Sequence, residues 1–188
     1  VDAAAAIEES APVDPGVDIV ADRIDLDATG GIGALDSIEM QSVVQINADT
    51  AAGSIQLSNS ADDPVTIQSM TVTPGAGSIT YVQSGNESLT VERVDAFNGA
   101  VTVTNTGGTG ADITVDAGVL GIRAQTGGNT VSVSADGEIA PADNNPATVE
   151  VFGDIISLVA NDVGIGQTTG ALDVDATNTV VGNGLSVT

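Results

Sequence analysis

The chain has 188 residues, with 26 acidic side chains against three arginines and no lysine, histidine, cysteine or tryptophan, for a net charge of −23. Without His or Cys there is no Ser-His-Asp or Cys-His nucleophile system and no zinc site of nitrogen and sulfur ligands, and three scattered arginines leave no electrostatic footprint for DNA or RNA. At 41% apolar the sequence is too hydrophobic for an acidic disordered tail and long enough to bury a core. Residues 2 to 16 hold the one helix-like patch, in which Asp2 caps an Ala-rich turn that Pro12 and Pro15 end. They read as a linker or lead-in, with a repeat segment over 17–188.

From Val17 onward the composition is that of strands. Across the whole chain Val and Ile together number 40 against eight Leu, and 20 Thr add further β-branched residues, which pack well on a pleated surface and lose rotamer freedom in a helix. Period-two alternation marks Ile24–Ala28, Ser54–Ser58, Ser78–Val82, Val101–Val103, Ile113–Ala117, Val131–Ala135 and Leu172–Ala176. Gly, Asn, Asp and Thr clusters such as Thr106–Gly110 and Thr126–Asn129 separate them. The pattern apolar-x-apolar-x-Ala begins at Ile24, Val44, Ile113, Leu120, Val131, Ile156 and Leu172. A second near-repeat sets Ala28–Gly33 against Ala160–Gly166, each followed by Ala-Leu-Asp.

Short strands with small-residue corners and a loose period of about 20 predict an all-β parallel solenoid of roughly eight or nine coils, a rod about 40 Å long. The competing reading is two β-sandwich domains, or a barrel. Sandwich cores are built on large aromatics, and here Tyr81, Phe97 and Phe152 are the only ones. No run approaches the roughly 18 apolar residues of a membrane helix. The start at Val1 and the stop within the strand-like run Gly184–Thr188 predict a piece of something longer. The lack of cysteine fits an exported bacterial repeat protein, and Asp over Glu by 19 to 7 suits a saline exterior.

Runs such as Asp18–Gly33 and Gly110–Ala117 resemble the repeat regions of very large bacterial exoproteins, the filamentous-haemagglutinin-like adhesins and autotransporter passengers. The resemblance covers most of residues 17–188 and lies in composition and rhythm. It implies a right-handed parallel β-helix, export to the cell surface, and a role as a stalk or adhesive fibre. That family's secretion domain carries an Asn-Pro-Asn-Gly-like signature, which Asn145-Pro-Ala147 does not match.

Three kinds of site are open to such a chain. Paired acids at Asp25/Asp27 and Asp173/Asp175 each share a strand face, the arrangement two glycosidase carboxylates need, but with hardly any basic or aromatic residue for a substrate the bland reading is a solvated acidic face. Calcium wants six to eight oxygens. The clusters Asn59–Asp63, Ala135–Glu138 and Asp143–Asn145 supply them, with Asp62, Asp63, Asp136 and Asp143 as candidate ligands. No EF-hand or calcium β-roll nonapeptide is present, and diffuse cation condensation on the acidic surface accounts for the charge more simply. Gly30–Gly33 and Gly164–Gly166 are corner glycines rather than phosphate loops, since no helix is expected after them. A Thr row at Thr102 and Thr104, as in ice-binding solenoids, is not expected to repeat regularly between coils, and Arg23, Arg93 and Arg123 are expected to pair with nearby acids.

The sequence thus predicts a non-enzymatic extracellular scaffold. It would associate with adjacent coils, other copies, or a host or neighbouring-cell surface, with no nucleic-acid partner and no membrane span. A calcium-dependent module of tandem sandwiches and a carbohydrate-active β-helix enzyme are the alternatives.

Overall fold

The structure is a computed structural model that describes residues 1–9, 16–116, 118, 121–143, 148–162, 164–166, 170–177 and 185–187. Among them there is no helix. Alternation decides the local structure. In Arg23–Ala28 the side chains of Ile24, Leu26 and Ala28 are buried while Arg23, Asp25 and Asp27 face water, and Val101–Thr106 and Thr130–Ala135 follow the same rule.

A strand with one apolar face must find its hydrogen bonds sideways, and here every pairing is parallel and joins one coil to the next. The first sheet stacks Asp2–Ala3, Arg23–Ala28, Gln45–Thr50, Val65–Ala76, Arg93–Asn98, Gly121–Ala124, Val151–Gly153 and Val174–Ala176. The second stacks Ile19–Val20, Ile38–Gln41, Ile55–Ser60, Ile79–Ser84, Val101–Thr106, Thr130–Ala135, Ile155–Ala160 and Leu185–Val187. A short third face opens where Val65–Ala76 bends, because the register with Gln45–Thr50 slips between Ile46 and Asn47 and leaves one extra residue in the later coil. Its leading part, Val65–Ile67, then carries Leu89–Val91, Ile113–Val115 and Ile139–Pro141.

The fold is therefore a β-solenoid of about seven coils, roughly 35 Å along the stack. Hairpin-built sandwiches, the competing architecture, are antiparallel and are overturned by this pairing. Eight or nine coils were expected from a period of 20. Coils are longer and unequal: Ile55 pairs with Ile79, Ile79 with Val101, and Val101 with Val131.

Register turns the inward residues into columns. Leu26, Ala48, Met70, Val94, Ile122 and Val151 stack in the first sheet. Ile32, Ile55, Ile79, Val101, Val131 and Ile156 stack in the second. All are buried in one continuous cluster.

Two sequence expectations change. Stacking starts before Val17: Asp2 and Ala3 pair with Asp27 and Ala28, and Ile7 bridges to Ile32. Four alanines are too short to nucleate a helix, whereas the edge of Arg23–Ala28 offers a ready ladder. Residues 10–15, with Pro12 and Pro15, lie outside the described residues. Nor does the apolar-x-apolar-x-Ala pattern mark one position in each coil. It falls on the first sheet at Ile24, Val44 and Leu172, on the short face at Ile113, and on the second sheet at Val131 and Ile156, so it encodes a strand and its corner. Ala117 and Leu120 lie outside the described residues.

Candidate functional site

Six of the eight strands of the first sheet carry a charged residue, although most of the 26 acids lie outside the strands. All three arginines lie on strands of this sheet. Register places Asp2, Asp27, Asp49, Thr71, Asp95 and Arg123 in a single outward row, one from each successive coil. A shallow groove of about 300 Å³ runs along the start of this row, between Asp2, Asp27, Asp49, Thr29 and Thr71.

The row is partly neutralised from within. The hydroxyls of Ser69 and Thr71 donate to Asp49 Oδ1 at 3.0 and 2.5 Å. Asp95, 3% exposed, forms an ion pair of 3.3 Å with Arg93 and accepts from Gln125 Nε2 at 2.6 and 2.8 Å. This is the one Arg–carboxylate ion pair among the described residues. The expectation that every arginine pairs with an acid is thus corrected: Arg123 lies over the Phe152 ring, 5.2 Å from its centroid. Its register neighbour Asp95 is already held by Arg93 and Gln125.

Asp25 and Asp27 do share the exposed face, as does Asp175 at the other end, while Asp173 is half-buried and donates its backbone N–H to Glu150 Oε2 at 2.6 Å. Such rows, with coils about 4.8 Å apart, concentrate counter-ions.

The candidate calcium ligands are not brought together. Asp62 and Asp63 are exposed in the turn after Ile55–Ser60. Asp136 accepts from the backbone N–H of Gly107 at 3.0 Å and from Asn161 Nδ2 at 3.1 Å. Asp143 is exposed beyond Ile139–Pro141, and Asn144 and Asn145 lie outside the described residues. Asn59 and Glu138, counted in two of those clusters, are buried instead. The carboxylates that do converge are Glu9, Asp18 and Glu39, with oxygens within 4.8 Å of one another, the one such group among the described residues. Glu9 and Asp18 are far from Glu39 in sequence. Only the pairing of Ile19–Val20 with Ile38–Gln41 unites the latter two, and no local spacing signals it.

Inside the second sheet a polar column was missed. Asn59, Gln83 and Asn105 occupy one inward register row. Asn59 Nδ2 donates to Val43 O at 2.8 Å and Gln83 Oε1 at 3.1 Å, and Asn105 Nδ2 donates to Glu87 O and Asp112 O at 2.9 and 2.8 Å. These amides satisfy carbonyls that the chain turns inward at the corner. Tyr81 donates to Gln83 Oε1 at 2.6 Å, and burial holds its hydroxyl far above the ordinary phenol value. Positions 59, 83 and 105 recur at the coil period, which was the available signal.

Titration follows from these surroundings. Partial burial first, and then the hydrogen bond and charge of Asp18, push the Glu39 carboxyl up, and burial pushes Glu150 up. The Gly107 N–H draws Asp136 down, and the Thr177 hydroxyl with the Gly128 N–H draws Asp154 down. Ionised Glu39 and Glu150 therefore cost stability above their raised values, a cost that fades as pH falls toward the ordinary 4.5. Asp136 and Asp154 stabilise above the ordinary 3.8 and lose that contribution as pH falls through their depressed values. The melting temperature is expected to climb as pH falls through the raised Glu39 and Glu150 values to just above 4.5 and to fall below 3.8, with Glu39→Gln flattening the upper limb. A steady decline from neutrality downward would contradict this assignment.

Compared with known protein families, curated proteins and solved structures, the chain matches none.

Proposed function

We propose that this chain is a non-enzymatic scaffold segment of a large exported bacterial surface protein, of the filamentous-haemagglutinin-like kind, working outside the cell or on its surface. The observation that carries the reading is the continuous apolar column. One repeated strand contact lengthens the molecule by about 4.8 Å per coil without limit, which suits a stalk or fibre. Asp25 and Asp27 stay on the water side of the first sheet, where salt or divalent ions screen them. Partners on this reading are coils or copies of the same kind, because the edge strands of a parallel stack are templates for further strands.

Two measurements test it. Small-angle scattering of the full chain is expected to give a rod profile, and sedimentation an average mass that grows with concentration beyond the dimer. Antibody labelling of intact producing cells is expected to find the protein outside. Labelling only after lysis would sink the surface role, and a monomer at every concentration would sink end-to-end growth.

A further inference from the structure

The second sheet is the opposite of the first. Five successive strands, Ile55–Ser60, Ile79–Ser84, Val101–Thr106, Thr130–Ala135 and Ile155–Ala160, contain no charged residue, in a chain with 26 acids. Their outward side chains form rows. Gln56, Thr80, Thr102, Ser132 and Ser157 stand in one, and Ser58, Val82, Thr104, Ser134 and Val159 in the next. Thr does not repeat in every coil in the row of Thr102, but apart from Gln56 both rows hold only hydroxyl and small apolar side chains. No register shift interrupts these five strands, whereas the first sheet slips at Ile46/Asn47 and again at Ala96/Asn98. The corner leading into the first three of these strands is glycine packed on backbone at Gly53, Gly77 and Gly99, and Asn129 and Asp154 lead into the last two.

We propose that this neutral sheet is where two copies of the chain pack side by side. The charge distribution selects the occupant. Two copies meeting through their first sheets would set aspartate rows against each other, at a cost of several kcal/mol for like charges in contact. The five strands of the second sheet let them approach with no charged strand residue between them, Asp136 and Asp154 lying at the corners, and leave the first sheets in water. In-register sheets of small side chains are the geometry that interdigitates face to face. Five strands about 4.8 Å apart and about 20 Å long offer roughly 1,000 Å² in total, the low end for a specific interface, so the contact is reversible. A surface that meets its own copy closes at two chains. The inference rests on the scaffold reading, for which it supplies the lateral contact.

The native chain has no cysteine, so single-cysteine variants report the contact directly. Thr104→Cys, on the middle strand and nearest a two-fold axis, is expected to give a two-chain product with a short bismaleimide, and Asp27→Cys on the charged sheet is not. Dimerisation in sedimentation should strengthen with NaCl, which screens the remaining charge. Thr80→Asp with Ser132→Asp should weaken it about tenfold or more, given what like-charge juxtaposition costs. Thr102→Lys is the second variant should the aspartates impair folding. End-to-end growth beyond the dimer should persist in all of them, so its loss would count against the scaffold reading alone. Equal cross-linking through Asp27→Cys, insensitivity to the face substitutions, or retention of a monomeric chain on cellulose through this face would overturn the proposal.

Discussion

Gly99→Ala is expected to destabilise the protein by about 3 kcal/mol, the upper range for forcing one methyl group into a packed site. A Cβ at Gly99 would overlap the carbonyl oxygen of Gly77, and one at Gly77 would overlap that of Gly53. Gly53 in turn lies on Gly30, with a Cβ position 2.7 Å from its carbonyl oxygen. Four glycines thus stack backbone on backbone where the chain leaves the first sheet for the second. The neighbour is main chain held in two ladders, so it cannot swing aside as a side chain would. Gly127→Ala is the control, since its Cβ would meet only Asp154 Oδ2, at 3.8 Å. Urea denaturation of both variants checks the argument, and equal stabilities would refute it.

Gln83→Leu is expected to cost about 2–4 kcal/mol despite its similar size, because each buried group left unpaired costs about 1–3 kcal/mol. Gln83 is wholly buried. Its Oε1 accepts from Tyr81 and Asn59, and its Nε2 donates to Ser84 O at 3.2 Å. Leucine strands the phenol and one N–H of the Asn59 amide in the core, whereas Ser84 O keeps the Ala61 N–H. Adding Tyr81→Phe removes one of the two orphans, so the double variant should recover part of the loss. A double-mutant cycle with no coupling between the two positions would show that the hydrogen bond contributes nothing.

Strand identity was legible because each strand states its own facing. In Arg-Ile-Asp-Leu-Asp-Ala, residues 23–28, the alternation alone separates water from core. Parallel stacking was legible from short strands, small corners and scarce aromatics. Coil length was not, because the conspicuous apolar-x-apolar-x-Ala motif belongs to strands on all three faces. The true period sits in quieter residues: glycines 30, 53, 77 and 99 at the corner, and amides 59, 83 and 105 within. Each looks unremarkable locally and gains meaning only when coils are laid over one another. The acidic meeting of Asp18 with Glu39 is of the same kind. Asn59 misled for a related reason, since a polar residue beside Asp62 and Asp63 reads as surface, whereas strand parity turns it inward.

The unequal coils have an evolutionary consequence. Ile79 to Val101 spans 22 residues and Val101 to Val131 spans 30, yet both steps land on the same register. Lengthening a surface loop is cheap, about 0.6 kcal/mol for each doubling, and here the ladders on either side absorb none of the change. Insertions can therefore accumulate at the turns, such as Gly107–Gly110, while the trunk keeps its geometry. Such a molecule can diversify what it displays without having to reinvent how it folds.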